Sequence, residues 1–195
     1  MRASSRQALI GVVAGLLALA MSVAPGAAAA MKWTVAPEQS RILFDYERNN
    51  QLAEGSFTVF TGSGVFDRDA PGDATLEFRI KSASIDLKDT LASAFATSAE
   101  WFDSASHPLV IYRLTQLTPE GGDSYHAVGE LTIRDRTRPI ESTITLDIGA
   151  DDAHASGNLR LDRTDYLLGV GPSALFVKIG AQVAVRFELT AHPAQ

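Results

Sequence analysis

The sequence predicts an all-β domain of about eight antiparallel strands, in a sandwich or barrel, with one helical insertion between strands. Three observations predict it. The dominant hydrophobic period is two, the period of a strand with one dry and one wet face. Turn-forming clusters punctuate the chain at Pro37–Ser40, Asn49–Asn50, Asp67–Asp73, Pro119–Asp123, Asp135–Pro139, Gly149–Asp152 and Gly169–Ser173. Finally, about eight strands can close a sheet, which abolishes its edges and leaves an interior for packed side chains or one small ligand.

The chain opens with a different composition. Of residues 1–30, 20 are apolar and none is Asp or Glu. Arg2 and Arg6 precede an apolar run from Ala8 to Ala24, then Pro25, Gly26 and the small residues Ala27 to Ala30. That order is basic, apolar, then an A-x-A site, as in a cleaved secretory signal peptide. The expected domain is therefore 31–195. Without Arg2 and Arg6 it holds 15 Lys plus Arg against 23 Asp plus Glu, a net −8 instead of −6. No later stretch is long enough to cross a membrane as a helix.

Each strand has its own pattern. In Arg41 to Glu47, Ile42, Phe44 and Tyr46 alternate with Leu43 and Asp45. Phe57 shares a buried parity in the next run. Leu76, Phe78 and Ile80 alternate with Glu77 and Arg79. Leu87 to Phe102, rich in Ala and Leu, suits a helix better than a strand and closes on Trp101 and Phe102. Val110, Tyr112 and Leu114 then alternate, and Leu131 and Ile133 flank Thr132. Ile140, Ser142, Ile144, Leu146 and Ile148 share one parity. Leu159 and Leu161 follow, and Val183, Val185, Phe187 and Leu189 end the series.

Several function classes are excluded. A net acidic chain lacks the basic face that phosphate backbones require. Zero cysteines remove disulfides, thiol catalysis and thiolate metal sites. His107, His126, His154 and His192 form no local i+2 or i+4 pair, so no metal site is indicated. The glycines from Gly169 to Gly171 lack the βαβ setting of a dinucleotide loop. Asp67, Asp69 and Gly72 fall at calcium-loop offsets, but Phe78 stands where a glutamate is needed. An enzyme would need Asp86, Arg163 and His126 to converge. The reading is therefore non-enzymatic, with no cofactor.

Six further segments accompany GELTIRDRTRPI, Gly129 to Ile140, which resembles the signature strand–turn–strand of the YceI-like family. They are Trp33 to Tyr46, Gly55 to Asp67, Ala83 to Asp89, Glu100 to Tyr112, Arg163 to Gly171 and Val177 to Ala191. Each resembles the family's corresponding element, in order, over nearly all of the domain. Two departures stand out. The helical segment KDTLASAFATSAEWFD lacks the family's His-Leu-Arg, and Arg136 stands at a usual glycine.

The resemblance implies an exported, lipocalin-like β-barrel in the periplasm that binds polyisoprenoid lipid, a quinone or polyprenyl chain. A long apolar tail would need an apolar tunnel. Expected ligand-binding residues on the strands are Phe44, Tyr46, Phe57, Phe78, Ile80, Tyr112, Leu131, Ile133, Val185 and Phe187. Trp101, Phe102 and Tyr166 would join them from the connections. Asp86, Arg163, Asp165 and Tyr166 are candidates for the tunnel mouth, with a structural turn pair as the competing role for Arg163 and Asp165. The alternative is a structural or stress-related interaction protein with a filled barrel core and no ligand. No nucleic acid is expected as partner, nor is the cleaved chain expected to be an integral membrane protein. The sequence is compatible with a homodimer and leaves oligomeric state open.

Overall fold

A computed structural model describes residues 30–194. The predicted signal segment, save Ala30, lies outside the described residues. The strands are β1 (Met31–Val35), β2 (Arg41–Arg48), β3 (Gln51–Phe57), β4 (Phe60–Phe66), β5 (Thr75–Lys81) and β6 (Ile85–Asp86). A helix α1 (Thr90–Ala96) separates these from β7 (Leu109–Gly121), β8 (Ser124–Ile133), β9 (Arg136–Ile148), β10 (Ala153–Asp162) and β11 (Ile179–Pro193).

All pairings are antiparallel. The order β1-β4-β5-β7-β8-β9-β10-β11 closes on itself through Trp33–Val35 against Ala191–Pro193. The remaining strands extend this ring: β2 pairs with β11, β3 with β2, and β6 with β3. Thus β1/β2, β3/β4 and β5/β6 are three barrel strands, each broken once, and the barrel has eight strand positions.

The breaks have local causes. Pro37 lacks an amide hydrogen and starts a short 3-10 turn. Across that gap Ser40 Oγ donates to Ala36 O at 2.7 Å and accepts from Thr190 N at 3.0 Å. In the β5/β6 break, the buried Ser82 Oγ donates to His107 O at 2.7 Å. These hydroxyls replace ladder bonds that the kinked backbone cannot make.

Two expectations need correction. The helix is shorter than Leu87–Phe102. Asp89 caps it, accepting from Leu91 N and Ala92 N, and Thr97 ends it by donating from Oγ1 to Ala94 O at 2.8 Å. Residues 97–105 then fold as turns, tied by Trp101 N and Asp103 N donating to Ser98 O. The Asp135–Pro139 turn is also tighter than expected. Arg134, at φ 58°, and Asp135 make the turn, and β9 begins at Arg136. Pro139 sits inside β9, opposite Glu130. It is tolerated because β10 pairs with β9 only from Thr143 onward, so Pro139 lies on a one-sided stretch.

The two barrel ends differ. At one, hairpins join β4 to β5, β7 to β8 and β9 to β10, and a cluster of Leu117, Tyr125 and Ala127 is buried with Phe66 packed against it. Phe66 and Tyr125 meet edge-on at 5.9 Å. The other end carries α1, the β2–β3 and β8–β9 turns and the long β10–β11 connection. There β6 pairs with β3 but not with β7, so α1 and the turns behind it cover the gap.

Outside the barrel, Glu77 accepts from Arg79 Nε at 2.6 Å and Arg113 Nε at 2.7 Å. These two guanidinium groups hold its carboxyl below the usual carboxylate range. A depressed folded-state pKa stabilises the fold above the unfolded pKa, and this contribution is lost as pH falls through the folded value. Glu77→Gln is therefore expected to lose less stability than the parent below about pH 4.3. Urea melts at about pH 3 and about pH 6 check this, and parallel losses in both proteins would contradict it.

Candidate functional site

The barrel encloses a cavity of about 750 Å³. It runs from the hairpin end, at Leu117 and Leu146, past Phe78 and Val185 to Leu91 and Phe95 on α1. Arg48 and Arg163 are the only charged residues in its lining among the described residues, and no carboxylate or imidazole lines it. Hydroxyls come from Thr75, Ser142 and Ser173 and from Tyr46 and Tyr112. Such a surface offers an apolar solute nearly everything it needs and a polar one almost nothing.

Strand alternation builds this wall. Phe44, Tyr46, Phe57, Phe78, Ile80, Tyr112, Leu131, Ile133, Val185 and Phe187 all line the cavity, as do Trp101 and Phe102 from the turns after α1. Tyr166 does not. It lies in the 3-10 turn Arg163–Tyr166, only 2% exposed, packed behind the wall with Val110 and Leu168. Burial pushes the hydroxyls of Tyr112 and Tyr166 up to about 12.

The aromatic rings are held against the wall by glycines that pattern reading missed. Phe44 faces Gly55, Phe78 faces Gly62 and Phe187 faces Gly157 as direct cross-strand partners. Tyr112 lies over Gly129. A Cβ at Gly62 would stand 2.8 Å from Phe78 Cζ, and one at Gly157 2.7 Å from Phe187 Cζ. Each ring thus lies across the neighbouring strand instead of standing into the lumen. The sequence signal was glycine on the inward parity of a strand, which marks close approach by another group.

The candidate mouth residues separate in role. Arg163 lines the cavity, but its guanidinium donates to backbone. Nε reaches Gly180 O at 2.9 Å, Nη2 reaches Ile179 O at 2.7 Å, and Nη1 reaches Leu168 O and Gly169 O. Its Cζ also sits 5.4 Å from the centre of the Trp101 ring. Asp86 and Asp165 are exposed and outside the lining. Asp86 Oδ1 accepts from Lys88 N at 2.8 Å, which shapes the turn into α1. His126 faces outward on β8, with Nε2 3.7 Å from Glu141 Oε2, so Asp86, Arg163 and His126 do not converge. Sequence reasoning also missed Arg48, Leu91 and Phe95, which reach the lumen from the end of β2 and from α1.

Comparison with known proteins agrees with this architecture. Residues 33–191 match the YceI-like domain. A UPF0312 protein of Photorhabdus laumondii is 25% identical over 178 residues, covering 87% of this chain and 91% of its own length. A UPF0312 protein of Pectobacterium atrosepticum is 23% identical over 175 residues, covering 84% and 91%. Among solved structures, BcnA of Burkholderia cenocepacia superposes with a TM-score of 0.73 at 23% identity, covering 80% of this chain and 98% of its own. A polyisoprenoid binding domain from Saccharophagus degradans gives 0.68 at 14% identity, covering 84% and 99%. With its eight barrel positions and a domain match spanning β1 to β11, the chain belongs to the YceI-like family.

Proposed function

We infer that this protein is an exported, non-enzymatic binding protein or carrier for polyisoprenoid lipid, a quinone or polyprenyl chain, held in the barrel lumen. The observation that carries the reading is the 750 Å³ cavity with its nearly uninterrupted apolar wall. That volume falls within the usual range for ligand sites, and large apolar voids are otherwise rare in packed interiors. Each five-carbon unit entering it would gain about 4 kcal/mol gross, at roughly 0.8 kcal/mol per buried carbon. A filled barrel would have no such space. The similar fold of the Saccharophagus degradans polyisoprenoid binding domain supports the same ligand class. Catalysis is disfavoured because the lining brings two arginines and no acid–base partner. The basic–apolar–small order of residues 1–30 supports export to the periplasm.

Solvent extraction of protein purified from its native envelope, followed by mass spectrometry, is expected to recover a prenyl lipid. No bound prenyl lipid and no uptake of added quinone would refute the reading. Phe78→Trp refines the test. Gly62 and Val35 already occupy the wall side of this ring, so a larger ring grows into the lumen. Lipid affinity is expected to fall while the melting temperature holds. A stability loss of about 1–3 kcal/mol with affinity unchanged would instead mark Phe78 as sealed core.

A further inference from the structure

We propose that the α1 end of the barrel docks on a lipid bilayer surface bearing anionic headgroups, so that the cavity opens directly into the membrane. The proposal rests on the lipid-carrier reading above and adds where the lipid is exchanged. Three observations carry it. First, of nine exposed large apolar side chains among the described residues, all but Met31 and Val59 sit at this end. Leu91 is 82% exposed, and Leu175 and Phe176 are each 84% exposed. Single exposed apolar residues are ordinary, but a cluster at one end of a molecule marks an interaction surface.

Second, the cluster is continuous with the lumen. Leu91, Phe95 and Phe176 are exposed and also line the cavity, so the mouth opens among them. The opposite end is filled by Leu117, Tyr125 and Phe66. An apolar chain leaving this mouth into water would lose the burial that holds it. Leaving into a bilayer, it would stay in hydrocarbon throughout.

Third, charge is distributed to orient the molecule. Residues 31–32, 66–74, 118–124, 147–154 and 192–194, at the hairpin end, hold eight Asp or Glu against Lys32 and Arg68. Residues 47–52, 86–107, 133–138 and 162–178, at the mouth end, hold eight acidic and seven basic groups. Among the described residues, Arg134, Arg136, Arg138 and Lys178 at the mouth make no ion pair. An anionic surface repels the hairpin end, at net −6, far more than the mouth, at net −1, where basic groups flank apolar ones as in interfacial anchors.

The test is cosedimentation of the full domain with phosphatidylcholine vesicles containing or lacking phosphatidylglycerol. It compares the parent with Leu52→Ser/Val170→Ser/Leu175→Ser. None of these three residues lines the cavity, so quinone uptake from dilute solution is expected to be unchanged. Parent protein should sediment preferentially with phosphatidylglycerol vesicles, and the triple variant should lose at least about five-fold of that binding at the same melting temperature. Parent remaining in the supernatant with both vesicle types would overturn the proposal, as would a triple variant that sediments like the parent. A parent dimer that the triple variant converts to monomer would also overturn it, by assigning the face to a second copy. Failure of quinone uptake by the parent would strike the carrier reading instead, because vesicle binding is read without any bound quinone.

Discussion

Arg163→Met is expected to destabilise the barrel by at least about 3 kcal/mol, because hydrogen bonds from a charged donor are worth about 1.5–3 kcal/mol each and several are lost together. The guanidinium ties Leu168 and Gly169 on one side to Ile179 and Gly180 on the other. It thereby closes the β10–β11 connection on itself. Trp101 stacks on the same guanidinium and packs where a Cβ on Gly169 would lie. Gly169, at φ 63°, is the residue that lets the loop pass beneath the indole. Methionine fills similar space but leaves these carbonyls without their donors. Arg163→Lys should recover little, since one ammonium cannot reach both segments with a fork's geometry. Urea unfolding followed by indole fluorescence checks the expectation. If Arg163 instead served mainly the polar end of a bound lipid, the ligand-free variant would unfold like the parent and only affinity would change.

The strands of this barrel are plain in the sequence because their chemistry is local. Ile42, Phe44 and Tyr46 are buried in alternation, and Ile140 to Ile148 stays in one register across five inward residues. Turn residues likewise mark the hairpins, since Asn49 and Asn50 adopt positive φ where the β2–β3 turn requires it. Tyr166 escaped because it sits on a 3-10 turn, where a period of two says nothing about direction. The helix was overextended because alanine content reports propensity, whereas Asp89 and Thr97 set its ends through backbone bonds. Least legible was whether the barrel is hollow. Phe44, Phe78 and Phe187 would fill it if their rings stood inward, and the residue across the strand decides that. Only pairing places Gly55, Gly62 and Gly157 beneath those rings.

Val185→Trp is expected to weaken binding of a long polyprenol by at least about 100-fold, or about 2.7 kcal/mol, while a chain of two or three isoprene units keeps its affinity. Val185 stands between Phe44 on β2 and Leu159 on β10. It packs against both the cluster of Val35, Ile42, Phe60 and Phe78 and the cluster of Phe44, Tyr46 and Ile85. It therefore marks the middle of the lumen. An indole there would divide the cavity and expel the part of a long chain that lies beyond it, whereas a short chain would fit between the indole and α1. Overpacking does not arise, because the added indole extends into the open lumen of about 750 Å³ instead of into packed core. The melting temperature of the ligand-free variant should accordingly match or exceed the parent's. Fluorescence titration with polyprenols of graded length separates the outcomes. Equal losses at every length would mean a collapsed wall, and no loss at any length would place the ligand outside the lumen.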